Sequence, residues 1–409
     1  MDFEDTPEEA EFRAEVRAWL QANAPKNASA NAFSADLNEK EALKIAKEWQ
    51  AKKAEARYAK ITWPREIGGM GGTPIQNVIY SQEEAKFNLP GGFFDIGLGM
   101  CIPTLLTHGT PEQAERYTRP ALYGEEIWCQ LFSEPAAGSD LAGIRTRAEK
   151  DGDEWVVNGQ KIWTSGAHYS DYGILVTRSN PDVPKHKGLT FFFLDMKTPG
   201  VEVKPIKQIS GGANFNEVYF TDVRIPDSQR LGAEGDGWKV SLTTLMNERA
   251  AIGGGGGALG TDELLKLFRG IEMHDGPAIN NMAVRERLAD WYVQGQGLKY
   301  TRFRSLTALS KGQTPGPENS IGKAVSAPRG QDYTSFALEL MELGGMITDP
   351  DLAPLKAGFQ SGWLFAPAMR IAGGTDEILK NIIAERVLGL PGEIRVDKDT
   401  PFNELPTGH

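Results

Sequence analysis

Across residues 6–24 the apolar side chains of Phe12, Val16, Trp19 and Leu20 recur at one-turn spacing with charges between them, which predicts an amphipathic helix. Residues 36–58 repeat the pattern, with a cap region near Asn38. The stretch ITWPREIGGMGG, residues 61–72, breaks it with a proline and four glycines and predicts a loop. Helical spacing resumes over 74–87, an apolar stretch covers 93–106, and Pro111 suits the first turn of a short helix. Beyond Leu122 the period changes. Residues 154–157, 173–178, 189–195, 201–205 and 216–220 are short β-rich runs separated by Gly, Asp, Asn and Pro. They lie too close together, with no helices between them, to form a dinucleotide-binding βαβ unit. From Asp236 the helical period returns over 238–246, 264–273, 283–306, 333–343 and 375–387. The polar tail from Pro391 to His409, with three prolines, is expected to be extended or mobile. The pattern predicts an α+β multidomain chain: an all-helical domain at 1–122, a β-barrel or sandwich domain at 123–235, a helical bundle at 236–392 and a tail at 393–409.

Composition narrows the function more than the fold. With 409 residues, 40% hydrophobic and 24% charged, the chain is long enough for two or three ordinary cores. Its net charge of −11 and pI of about 5.2, without any basic run, argue against nucleic-acid binding. Cys101 and Cys129 read as buried, reduced thiols of a cytoplasmic protein. The five histidines form no ligand cluster with cysteines, so no metal is expected; His168 reads as solvent-exposed. The first fifteen residues are acidic, unlike an export leader or transit peptide, and no apolar run is long enough to span a membrane. Glycine is the outlier, at 46 residues without a collagen period. Its clusters at 68–72, 253–257, 344–345 and 373–374 call for local explanations.

Two segments carry candidate chemistry. In FSEPAAGSDLA, residues 132–142, Ser133, Ala136, Ala137, Gly138 and Ser139 allow close backbone approach, the ingredients of a nest for an anion or a flat ring, and Pro135 stiffens the turn. The bland alternative is an ordinary turn capped by Ser139–Asp140. In NGQKIWTSG, residues 158–166, Trp163 offers an indole face and Ser165 a hydroxyl; the alternative is a half-buried tryptophan packed on a strand. Together with GGTDEILKNIIAER, residues 373–386, these segments resemble, in order, the signatures of the acyl-CoA dehydrogenase family. The resemblance covers roughly residues 5–392. It implies an N-terminal helical domain, a middle β domain and a C-terminal four-helix bundle, FAD as cofactor, and α,β-dehydrogenation of an acyl-CoA thioester. It further implies that Leu131 and Ser133 bond the flavin ring, that Trp163 covers it and that Ser165 lies beside N5. By the same resemblance Gly344, Gly345, Thr375 and Glu377 contact the cofactor, and Ser139 and Arg249 contact the CoA arm.

Abstraction of an α-proton calls for a carboxylate in a dry pocket, and the developing enolate for fixed donors. Many family members place the base just before the Gly-Thr of the C-terminal signature. Here that position is Gly373, which keeps only a backbone N–H for the thioester carbonyl. A branch resembling the isovaleryl-CoA and long-chain dehydrogenases uses a Glu-Arg pair instead. Glu248-Arg249, in TTLMNERAAIGG, matches that pair and makes Glu248 the expected base. The family's arginine for the FAD pyrophosphate falls at Ile271, with Arg269 and Arg285 as substitutes. The glycines 253–257 suggest either a widened acyl groove or close helix packing. The resemblance implies an acyl-CoA substrate, an electron-transferring flavoprotein as acceptor, and a homodimer or homotetramer. The alternatives are a subunit of a heterotetramer acting on bulky, for example sterol side-chain, acyl-CoAs, an acyl-CoA oxidase-like flavoenzyme, or a non-catalytic partner chain.

Overall fold

The computed structural model describes residues 5–25, 39–87, 89, 91–252, 260–310, 316–395 and 397–406, with the side chains of 249–252, 306, 309 and 310 also outside the description. The expected cap at Asn38 and the glycines 253–257 therefore lie outside the described residues. The chain divides into two compact units: one runs to Ala251 and takes in the segment from Glu393 onward, and the other is Ile252–Gly392.

The first unit begins with helices α1 (Pro7–Asn23), α2 (Glu39–Glu55), α3 (Pro74–Glu84), α4 (Ile102–His108) and α5 (Pro111–Leu122). Three of them start the same way. Thr6, Thr73 and Thr110 each accept from the backbone N–H three residues on, where Glu9, Gln76 or Gln113 returns the bond, and a proline follows each threonine. Each cap is worth about 1 kcal/mol. Phe12, Val16 and Leu20 of α1 bury against Trp49, Tyr58, Ile79 and Tyr80, as the one-turn spacing requires.

The sheet consists of β1 (Trp128–Leu131), β2 (Arg147–Asp151), β3 (Glu154–Ser165), β4 (Tyr172–Arg178), β5 (Leu189–Asp195), β6 (Val201–Ile206) and β7 (Phe215–Pro226). Its order is β1-β4-β2-β3-β7-β6, with β5 also paired to β4, and it curls into a half-barrel. β4 and β5 are buried on both faces, which is why they read as unbroken apolar runs. Ile174, Val176, Phe191 and Phe193 pack toward Leu105, Leu122 and Val240 of the helices, while Leu175, Phe192 and Leu194 face Trp155, Val157 and Val218. β3 extends well past the expected 157, because its second half is Asn-Gly-Gln-Lys, a turn-like string that the ladder with β7 nevertheless holds.

Helix α6 (Gly237–Ile252) follows the sheet and belongs to this first unit. The described tail, expected to be extended or mobile, instead bends over 397–400 and makes a short helical turn at Phe402–Glu404, held by backbone bonds. The amide N–H groups of Phe402 and Asn403 donate to Val183 O and Pro181 O at 3.0 Å each, and Pro401 bridges to Pro184.

The second unit holds α7 (Thr261–Gly270), a two-residue hairpin of β8 (Glu272–Met273) and β9 (Gly276–Pro277), and then α8 (Met282–Ser310), α9 (Asn319–Leu340), α10 (Gly358–Met369) and α11 (Asp376–Ile382). Leu264, Leu267, Phe268, Trp291, Tyr333 and Phe359 form its core. Neither α10 nor the first half of α9 was expected. GFQSGWLFAPAM and NSIGKAVSAPRG carry too much glycine, proline and serine to show a helical period. No described helix is long and apolar enough to cross a membrane, and the described residues contain no cluster of three or more metal-ligating side chains.

Candidate active site

β1 ends at Leu131, fully buried, and hands the chain to Phe132, Ser133 and Glu134. Two bonds fasten this exit to β3. Ile162 N–H donates to Ser133 O at 2.8 Å, and Lys161 Nζ donates to Phe132 O at 3.0 Å. The structure therefore brings Ser133 against Ile162, the residue before Trp163, about thirty residues on in the chain, with Ser165 three residues further along the same strand.

The ladder between β3 and β7 slips between Lys161 and Thr164, so that Ile162 and Trp163 together oppose a single residue. This bulge turns Trp163 outward. Its φ is +60°, a left-handed value rare for a bulky residue, and its side chain is 57% exposed, with Phe215 edge-on at 6.2 Å. Strain of this kind costs on the order of 1–3 kcal/mol and concentrates where a side chain must be aimed. The segment after Ser133 is a tight turn in which Glu134 and Ala137 exchange both backbone bonds, at 2.9 and 3.0 Å, and an indole held out from a bulge beside it fits a flat aromatic cofactor. Ser165 closes β3 opposite Phe215, and Gly166 turns left-handed, its N–H donating to Asn214 O at 2.9 Å. His168 stays on the surface, its ring between Asn216 Oδ1 at 3.1 Å and the Glu39 carboxylate at 2.9 Å. Ser139 is exposed on the loop that follows.

Sequence reasoning missed what holds this corner together. Lys161 is fully buried and its Nζ lies 2.8 Å from Glu134 Oε1. The same carboxylate accepts from the amides of Arg145 at 2.6 Å and Thr146 at 3.0 Å. Burial alone would push the Glu134 carboxyl up. The Lys161 ammonium and the N–H donors outweigh it and hold Glu134 below the usual carboxylate range, ionised. The signal was in the alternation: Lys161 falls on the inward parity of Trp155 and Val157, where a lysine is tolerated only with a partner.

Glu248 lies one turn beyond Thr244 on α6. Val240, Ser241 and Thr244 are fully buried on one stripe of that helix, and Glu248 continues it, half-buried. Thr244 Oγ1 meets Thr104 Oγ1 of α4 at 2.9 Å, and His108 Nε2 meets Thr243 Oγ1 at 2.8 Å, so α4 fixes the helix at the turn before the carboxylate. The side chain of Arg249 lies outside the described residues.

The remaining candidates belong to the second unit. Gly344 and Gly345 form a single turn after α9. A Cβ on Gly345 would come 2.5 Å from Leu338 O, so glycine is required there. Gly373 and Gly374 have φ of +66° and +94°, and the Lys323 ammonium donates to Gly374 O. Thr375 caps α11, accepting from Ile378 N–H at 3.3 Å. Glu377 is exposed in its first turn, where backbone N–H donation lowers its carboxyl. Ile271 ends α7 and packs on the apolar core, while Arg269 and Arg285 are exposed.

Three family models match the chain: acyl-CoA dehydrogenase, N-terminal domain, over residues 6–125; middle domain, over 129–223; and C-terminal domain, over 235–388. The chain is 37% identical over 391 residues to acyl-CoA dehydrogenase IpdE1 of Mycobacterium tuberculosis, covering 94% of this chain and 98% of that one. It is 39% identical over 334 residues to acyl-CoA dehydrogenase FadE34 of the same organism, covering 80% of this chain but only 44% of that longer protein. Among solved structures, the Tcur3481-Tcur3483 steroid ACAD aligns with a TM-score of 0.79 at 26% identity, over 96% of this chain and 100% of that one. The ChsE4-ChsE5 complex from Mycobacterium tuberculosis aligns with a TM-score of 0.77 at 25% identity, again over 96% and 100%.

Proposed function

The chain belongs to the acyl-CoA dehydrogenase family, and from that premise we propose that it is one subunit of a heteromeric FAD-dependent dehydrogenase acting on bulky, steroid-type acyl-CoA thioesters. The supporting observation is its near full-length similarity to a steroid ACAD named for two components and to the two-component ChsE4-ChsE5 complex. This replaces the isovaleryl-CoA and long-chain branch suggested by base placement alone.

When bound, FAD accepts the hydride that leaves Cβ of the thioester. Leu131 and Ser133 would hold the flavin ring through the main chain, Ser165 would supply a hydroxyl to it, and the exposed Trp163 would keep water from it. Glu248 takes the α-proton onto a carboxylate oxygen. Thr244 and Thr104, one turn before it, keep the helix from rotating that oxygen away. Gly373 carries over as the main-chain donor to the thioester carbonyl, and Ser139 as a contact for the CoA arm. Electrons leave to an electron-transferring flavoprotein.

The test is anaerobic titration of the purified, FAD-loaded assembly with a panel of acyl-CoAs, read as loss of flavin absorbance. Bleaching by sterol side-chain CoA esters and recovery of a second chain in the assembly are expected. Bleaching of a homo-oligomer by straight-chain esters alone overturns the proposal. Glu248→Gln is expected to slow bleaching at least a thousandfold with the flavin spectrum intact, since it removes the only base in this scheme.

A further inference from the structure

The family match ends at residue 388, yet the chain runs on and returns to the first unit. This segment sits on one particular cation. Arg178, at the end of β4, is 4% exposed, and among the described residues its guanidinium bonds no carboxylate. Its guanidinium instead donates to Ala142 O at 2.5 Å, Ile144 O at 3.1 Å and Lys185 O at 3.0 Å. Burial pulls Arg178 down to about 10, with Glu134 and Asp140 only partly compensating. The face left open is covered by Phe402, whose ring centre lies 3.6 Å from the guanidinium carbon.

A second bond runs the same way. Lys185 Nζ joins Asp140 Oδ2 at 2.8 Å to Asp397 Oδ2 at 2.5 Å. Asn403 Nδ2 donates to Asp182 Oδ1 at 2.7 Å, fixing the segment at a third point. Ala142 and Ile144 receive Arg178, and Asp140 receives Lys185. All three lie on the loop that carries Ser139. The tail thus acts on this loop through two buried cations, at both of its edges.

We propose that residues 397–406 are a strap whose Phe402 and Asp397 act as positioning residues for the loop 138–144, setting its main chain for the CoA arm. The inference rests on the reading of that loop as the CoA contact. Neither strap residue touches substrate; Phe402 acts through Arg178 and through Arg145, whose guanidinium carbon lies 5.8 Å from its ring centre, and Asp397 acts through Lys185. A chain ending before residue 397 leaves Arg178 half-uncovered and Asp140 with a lysine free to swing, so the loop samples positions in which Ser139 and its neighbours no longer match the ligand.

The experiment uses the FAD-loaded assembly with Phe402→Ala, with Phe402→Tyr as the conservative control, with Asp397→Asn, and with Ser139→Ala. Two quantities are read: the rate of tryptic cleavage after Arg145 and Arg147, and the dissociation constant of CoA. Phe402→Ala and Asp397→Asn are expected to speed cleavage and to weaken CoA about fivefold each, with flavin absorbance and kcat retained. Phe402→Tyr is expected to behave as the parent. Unchanged cleavage and unchanged CoA affinity in both strap variants overturn the strap. Faster cleavage with CoA affinity unmoved in the strap variants and in Ser139→Ala overturns the assignment of the loop to CoA instead. Loss of flavin from Phe402→Ala reduces the segment to a general stabiliser and also overturns the proposal.

Discussion

Lys161→Met tests the account of the flavin-facing corner most directly. The substitution preserves length and apolar bulk but removes the ammonium that lies 2.8 Å from Glu134 Oε1 and 3.0 Å from Phe132 O. Glu134, whose side chain is 5% exposed, then keeps the amides of Arg145 and Thr146 and loses the cation bonded to it, with the Arg178 guanidinium acting only at longer range. Leaving a buried charge uncompensated costs about 3–5 kcal/mol. For a unit of this size each kcal/mol lowers Tm by about 2–4 °C, so a drop of roughly 10 °C is expected. Glu134→Gln alone leaves Lys161 stranded and one backbone N–H facing an amide nitrogen, and costs about 2–4 kcal/mol. The double variant removes both charges, so its cost falls short of the sum of the single costs by about 2 kcal/mol. Urea unfolding of the parent, the two single variants and the double variant, followed by tryptophan fluorescence, completes the cycle. Single costs that add to within about 0.5 kcal/mol mean that the two side chains do not act as a pair, and the reasoning fails.

Three further outcomes follow from other parts of the fold. Trp163→Gly relieves a left-handed backbone worth on the order of 1 kcal/mol, so the flavin-free protein is expected to melt about 2–4 °C higher while binding FAD more weakly, measured by calorimetry; weaker FAD binding without the gain in Tm contradicts the strain argument. Glu83 on α3 is bonded by Arg17, Lys86 and Arg13, Arg17 foremost, and these outweigh its burial to hold its carboxyl at about 2, below the ordinary 4.5. A depressed carboxyl stabilises the fold above its ordinary value, and that contribution is lost as pH falls through about 2; the melting curve of the parent should show this acid slope and that of Glu83→Gln should lack it. Thr244→Val leaves the Thr104 hydroxyl without its cross-helix partner and is expected to cost about 1–2 kcal/mol in unfolding experiments and to lower kcat with little change in KM, since it loosens the turn before Glu248.

The sequence made the class of fold legible because its periods are honest where single faces are buried. α1 shows its one-turn stripe, and β4 and β5 show the unbroken apolar runs of strands covered on both sides. The periods fail where something other than burial selects the residues. The second half of β3 looks like a turn because it must supply a bulge, a buried lysine and an outward tryptophan. The loop positions of Ser133 and Ser139 were readable from their small residues. The pairing of Glu134 with Lys161 was only half readable: alternation along β3 marks Lys161 as inward, but nothing in the sequence says that Glu134, on the turn after β1, is the partner it meets. Arg178 was hidden for the same reason: its acceptors are main-chain oxygens, which leave no trace in residue identity.

The strap has a further consequence for the order in which the molecule is made. Its contacts with β4 close a sequence interval that contains the entire second unit. Closing so long an interval is entropically unfavourable and slow, and it must wait for residues 397–406 to leave the ribosome. Arg178 therefore stays without its aromatic cover until residues 397–406 have been made, and the first unit finishes folding only after the residues of the second have been synthesised. A chain cut before residue 397 would carry every motif of the family and an unfinished first unit.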